Sequence, residues 1–136
     1  MFEHIRSQFT ATFGDDNDLQ VIMAPGRVNL IGEYTDFNEG FVFPMTVDRG
    51  VYVGIRGRTD QQVRVFSSRF GELIEYQLDE FEQPDSGHWS CYVLGVVEEL
   101  RVLGLVPHGF DTVIDGNLNL GAGLSSSAAL ETATAL

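Results

Sequence analysis

From Trp89 to Leu103 the residues Trp89, Tyr92, Val93, Val96, Val97, Leu100 and Leu103 fall at i, i+3, i+4, i+7, i+8, i+11 and i+14. That spacing draws an apolar stripe along one helix and turns it toward a core. Glu98, Glu99 and Arg101 take the outer side, and Gly104 ends the helix. Much of the remaining chain has the other period. Val51, Val53 and Ile55 alternate with Tyr52, Gly54 and Arg56, which predicts a strand.

Leu19 to Ala24 also reads as a strand; Pro25-Gly26 interrupts it and Arg27 to Gly32 resumes it. Phe41 to Pro44, the run from Val47, Val63 to Phe66 and Ile74 to Leu78 have strand chemistry, the last two joined through Ser67 to Gly71. Hairpin-scale connections between such runs favour antiparallel pairing. Phe110, Thr112 and Ile114 alternate with Asp111, Val113 and Asp115 in a final strand. At the front, Phe2, Ile5, Phe9 and Phe13 share a helical face, with Gly14 as its cap and Asp15 to Asp18 as a polar turn. The order is helix, several strands, helix, strand, loop, helix. It predicts an α+β domain with a mixed, largely antiparallel sheet packed by helices.

The chain's 136 residues, 43% of them hydrophobic, suffice for one domain with a real core. Net charge is −12, and every one of the eight basic residues is arginine. A nucleic-acid partner needs a basic footprint, so that class is excluded. An anionic substrate would need a bound cation or local arginines against this background. Cys91 is the only cysteine, which forbids an internal disulfide and fits a reducing cytoplasm. Met1 to Arg6 holds no signal-peptide apolar region, and no apolar run approaches the ~18 residues of a membrane span. The expectation is a cytoplasmic protein with no membrane partner.

Three stretches carry chemistry. In Gly121-Ala122-Gly123-Leu124-Ser125-Ser126-Ser127-Ala128-Ala129, two glycines allow a tight turn and close backbone approach, and three hydroxyls meet the start of a helix. Unpaired N–H groups and the positive dipole end there suit a phosphate; a Ser-capped helix after a Gly-rich turn is the other reading. It is not a P-loop, because the required lysine is absent from the whole chain. Glu33 and Asp36 stand three residues apart beyond a strand, where carboxylates could grip the hydroxyls of a polyol or simply form a solvated turn. Arg27 beside a strand pairs either a buried carboxylate or a phosphate. His4, His88 and His108 lack metal spacing and read as surface residues. Ser125 to Ser127 have no nearby His/Asp pattern of a hydrolase.

The segment Ala24 to Pro44 (APGRVNLIGEYTDFNEGFVFP) closely resembles the galactokinase signature. Gly121 to Ala129 resembles the phosphate-loop motif shared by the galactokinase, homoserine, mevalonate and phosphomevalonate (GHMP) kinases. Trp89 to Leu100 and Phe110 to Asp115 look galactokinase-like as well, so the resemblance runs in register through essentially the whole chain. It implies ATP-dependent phosphorylation of the C1 hydroxyl of galactose, with ATP and Mg²⁺ as cofactors. Glu33, Tyr34, Thr35 and Asp36 would then form the sugar side. Arg27 would stabilise the transferring phosphoryl group. Gly121, Ala122, Gly123, Leu124, Ser125, Ser126 and Ser127 would cradle the ATP phosphates, with the Ser127 hydroxyl on Mg²⁺ and Ser67 near the nucleotide.

The resemblance also implies a fold, the N-terminal domain of the GHMP kinase type. The last helix stops at Leu136 without a cap, so residues 1–136 are expected to be that domain, incomplete at its C-terminus. The family's catalytic aspartate, second magnesium ligand and C-terminal domain are expected beyond it, and the fragment alone is expected to be inactive. Position 34 is Tyr where the signature usually carries His, a group that titrates near neutrality as Tyr does not. A sugar- and ATP-binding sensor and a non-functional remnant are the alternatives; the Ser127-Ala128 pair, which such sensors can lack, favours the kinase lineage.

Overall fold

The computed structural model describes residues 1–32, 36–80, 84, 87–118 and 123–136. Helix α1 (Phe2–Phe13) buries Ile5 and Phe9, and Gly14 closes it at φ 96° with its N–H on the Thr10 carbonyl. Strands β1 (Gln20–Ile31) and β2 (Phe43–Gly57) pair antiparallel, as do β3 (Gln62–Ser67) and β4 (Glu72–Gln77). Helix α2 (Ser90–Val102), strand β5 (Phe110–Gly116) and helix α3 (Ser126–Ala135) follow.

The five strands lie in the order β1-β2-β5-β3-β4. β5 pairs antiparallel with β2 and parallel with β3, so the sheet is mixed and mostly antiparallel. The fold is α+β, as expected, but β2 and β3 are not neighbours. β5 separates them because a strand covered on both faces belongs in the centre, and Phe110 to Ile114 are all buried. Ile5, Phe9, Leu19, Tyr52 and Val113 form the core under α1. Val51, Val53, Val65, Val97, Ile114 and Ala133 belong to the larger core on the other face, which α2 and α3 cover.

Two local expectations need correction. Pro25-Gly26 does not end a strand: β1 runs on through a register shift between Pro25 and Arg27. Pro25 stays exposed opposite Gly50, where its missing N–H costs little, and the extra residue forms a bulge. In α2 the buried residues include Val93, Leu94 and Val97, whereas Tyr92 and Leu103 are exposed and Trp89 precedes the helix. α2 packs on α3 and sends Val93 and Val97 into the core shared with Val53, Val65 and Ile114 of the sheet, so its covered arc is not the single stripe of the spacing. Its end is as expected: the Gly104 N–H reaches the Arg101 carbonyl and the Leu105 N–H the Leu100 carbonyl, a Schellman closure.

Charge on the α1 face is neutralised within the fold. Asp111, 1% exposed, accepts from Arg64 Nε at 2.6 Å, Arg56 Nη2 at 2.9 Å and Arg58 Nη1 at 3.0 Å. Arg56 also holds Asp15, and Arg58 holds Asp60. Both Arg56 and Arg64 lie over phenylalanine rings of α1, those of Phe9 and Phe13. Burial alone would push the Asp111 carboxyl up, but the hydrogen bonds from Arg64, Arg56 and Arg58 together hold it below its ordinary value. Among the described residues no helix is long and apolar enough to cross a membrane.

Candidate functional site

The bulge in β1 is where the two sequence motifs meet. Gly26 is buried; a Cβ there would lie 2.5 Å from Leu118 Cδ2 and 3.0 Å from the Leu124 carbonyl oxygen. The Arg27 backbone N–H donates to that same carbonyl at 3.0 Å. The end of the glycine loop therefore lies directly on the start of the first motif, and the absence of a side chain at Gly26 gives it room. The Arg27 side chain is exposed, and among the described residues it has no ion-pair partner. The structural ion pair weighed for it is thus absent from the described part of the fold.

The turn into α3 differs from a serine cap. Ser125 occupies the cap position but makes no side-chain hydrogen bond to the helix, and its backbone is left-handed at φ 55°, ψ 45°. Gly123 is left-handed as well, at φ 70°. The Ser125 carbonyl accepts the Ala129 N–H at 3.0 Å, the first bond of the helix. The N–H groups of Ser126, Ser127 and Ala128 thus have no acceptor within the helix. A left-handed residue followed by helical ones turns successive N–H groups toward one point, an anion-binding concavity.

Ser126 and Ser127 open into a cavity of about 580 Å³ between β3, β4, α2 and α3. Ser67, 3% exposed at the end of β3, lines the same cavity. Part of the lining is aromatic: Phe70 stacks on Trp89 with centroids 5.9 Å apart and planes at 15°, and Tyr92 lines the same cavity. The Trp89 indole N–H donates to Glu72 Oε2 at 2.7 Å, and His88 Nε2 lies 3.3 Å from the same oxygen. On its other side, His88 Nδ1 is 2.7 Å from Ser90 Oγ and accepts the Ser90 backbone N–H at 3.4 Å. These donors around Nδ1 assign the ring proton to Nε2, facing Glu72. Arg69 reaches the Leu118 carbonyl at 2.8 Å and brings a cation to the loop side. Such a volume, mostly apolar with a few convergent polar groups, is that of a small-molecule site.

Of the expected site residues, Ser67, Ser126 and Ser127 share this cavity, and Leu124 ties Arg27 to its rim. Asp36 opens a short 3₁₀ turn, Asp36–Asn38. Glu33, Tyr34, Thr35, Gly121 and Ala122 lie outside the described residues. Sequence reasoning missed the aromatic and acidic wall. Trp89 and Tyr92 fit a core stripe, His88 read as surface, and Glu72 drew no notice. The signal was slight: a lone tryptophan at a helix entrance, next to a histidine. Among the described residues no three His, Cys, Asp or Glu side chains stand close enough to hold a metal ion. Magnesium sites in phosphoryl transfer do not require such a cage, since phosphate oxygens and water fill most positions.

Residues 7–57 match the family described as the galactokinase galactose-binding signature, and residues 91–136 match the GHMP kinases N terminal domain. Over 134 residues the chain is 43% identical to a galactokinase of Bacillus subtilis, covering 96% of this chain and 34% of that protein. A galactokinase of Chloroflexus aggregans is 46% identical over 135 residues, with 98% and 34% covered. The crystal structure of Lactococcus lactis galactokinase complexed with galactose superposes with a TM-score of 0.88 at 40% identity, covering 96% of this chain and 34% of that one. Mevalonate kinase of Methanococcus jannaschii, at 21% identity, TM-score 0.74, and 85% and 38% coverage, shares the fold. The chain thus spans about a third of the length of the curated relatives it matches.

Proposed function

The chain belongs to the galactokinase family, and from that premise we propose that it forms the nucleotide-binding part and the first sugar-binding motif of an ATP-dependent galactose kinase. The reaction would transfer the γ-phosphoryl group of ATP to the C1 hydroxyl of galactose. One observation carries the reading: the Arg27 N–H on the Leu124 carbonyl, with Gly26 beneath, brings the sugar signature and the phosphate loop into contact.

Phosphoryl transfer relies on positioning and charge neutralisation, and the chain's own groups fit those tasks. The N–H groups of Ser126, Ser127 and Ala128 would hold phosphate oxygens at the dipole end of α3. The Ser127 hydroxyl would serve as a magnesium ligand; the ion would supply charge neutralisation on the phosphates. Ser67 closes the cavity floor. The exposed Arg27 guanidinium is unpaired among the described residues and remains available for the charge that spreads over the transferring group. Glu33, Tyr34, Thr35 and Asp36 would take the sugar hydroxyls. We assign no general base to these 136 residues, so binding and turnover are separable. Calorimetric titration of the chain with Mg-ATP, beside a coupled ADP-release assay with galactose, tests this. Binding without galactose-dependent ADP release is expected. Turnover would overturn the division of labour, and absence of ATP binding would overturn the nucleotide site.

A further inference from the structure

Glu72 has no part in the scheme above, yet it sits on the cavity wall and is held there from two sides. Trp89 donates to its Oε2 at 2.7 Å, and His88, oriented by the buried Ser90, stands 3.3 Å from the same atom. A carboxylate has about four acceptor sites and no donor, so these two contacts leave capacity for more. Arg69 is anchored on Leu118 at the phosphate-loop side, whereas Glu72 stands beside the stacked Phe70 and Trp89 rings. A triphosphate is attracted to the guanidinium and repelled from the carboxylate; a flat heterocycle suits the stacked rings beside that carboxylate.

We propose that Glu72 is a specificity-determining residue for the nucleotide, its carboxylate accepting hydrogen bonds from N–H or O–H donors of the nucleoside. The inference rests on the reading of this cavity as the ATP site. Two donors on ATP have this chemistry, the 6-amino group of the base and the ribose hydroxyls. Trp89 is both the chain's only tryptophan and a partner of Glu72, so its emission reports on the wall itself.

The test titrates the chain with Mg-ATP, with purine riboside triphosphate (no 6-amino group) and with 2′,3′-dideoxy-ATP (no ribose hydroxyls), following Trp89 fluorescence and heat. Wild type should bind ATP at least about tenfold more tightly than one of the two analogues, the usual size of a hydrogen bond to a charged group. The analogue that loses affinity names the donor. In Glu72→Gln, whose amide oxygen still accepts the indole N–H, that preference should disappear while Trp89 emission of the unliganded chain stays put. Equal binding of all three nucleotides by wild type overturns the inference without any variant, and so does a preference that survives in Glu72→Gln. If wild type binds no ATP at all, the nucleotide reading falls too, a result distinct from either.

Discussion

The two faces of the sheet solve opposite problems. Under α1, three guanidiniums converge on the buried Asp111, and the outer carboxylates Asp15 and Asp60 complete the neutralisation. Under α2 and α3, polar groups line a cavity, where the cation Arg69 holds the Leu118 carbonyl and the anion Glu72 accepts from Trp89, neither taking the other as its partner. The first arrangement satisfies itself and has nothing left for a ligand. The second keeps donors and acceptors in reserve. Dense charge therefore marks structure here, and the sparser polar groups mark the candidate site.

The largest test of that contrast is Asp111→Ala. Removing one partner of a buried charge cluster costs about 3–5 kcal/mol, because the guanidiniums lose their common acceptor. Urea unfolding should show this loss, while the remaining folded protein binds Mg-ATP as wild type does. The pH dependence follows from the same group. Its folded value lies below the ordinary 3.8, so its contribution is present above that range and is lost as pH falls through the folded value. Asp60, lowered to about 2 by its hydrogen bond from Arg58, acts in the same direction. Wild type should lose stability steeply below about pH 4, and Asp111→Ala should show a flatter acid limb.

Ser127→Glu attacks the other face with the reverse signature. A carboxylate in the first turn of α3 complements the dipole and should leave stability unchanged or raise it by about 0.3–1 kcal/mol. The same charge occupies the proposed phosphate position, and like-charge juxtaposition costs several kcal/mol, so Mg-ATP affinity should fall about 100-fold or more. Thermal unfolding and calorimetry on one sample separate the two effects. Loss of stability alongside loss of binding would show that the loop serves the core rather than a ligand.

What was legible in the sequence divides along similar lines. α1, its Gly14 cap, the Schellman end of α2 and the alternation in β5 depend on local spacing, and each stands where the pattern placed it. The insertion of β5 between β2 and β3 depends on which strand can be covered twice, a tertiary property. The Pro25-Gly26 bulge is set by Gly50 across the strand pair and by Leu124 nearly a hundred residues away. On the candidate site, the serines of the loop are recognisable as a motif, whereas Ser67 is reached only through the family resemblance. Trp89 is not recognisable, since its spacing fits a core stripe and its partner Glu72 is 17 residues distant. A motif carries its own context, whereas a cavity wall is assembled from residues that only folding introduces to one another.

The smallest predicted effect concerns Ser125, where the two uses of polar residues compete in one position. A side chain in the left-handed region costs about 1–2 kcal/mol, and here no cap hydrogen bond offsets it. Glycine removes that strain but loses about 0.5–1 kcal/mol through the entropy of the unfolded chain. Ser125→Gly should therefore stabilise the chain by between zero and about 1.5 kcal/mol, read as a small rise in urea midpoint with an unchanged slope. Strain of this kind persists where the surroundings enforce it and where a turn must present its backbone. If the N–H groups alone hold phosphate, Mg-ATP affinity in Ser125→Gly stays within about twofold of wild type, a difference of roughly 0.4 kcal/mol. A larger loss would make the Ser125 hydroxyl a phosphate ligand in its own right, and the left-handed turn its means of reaching one.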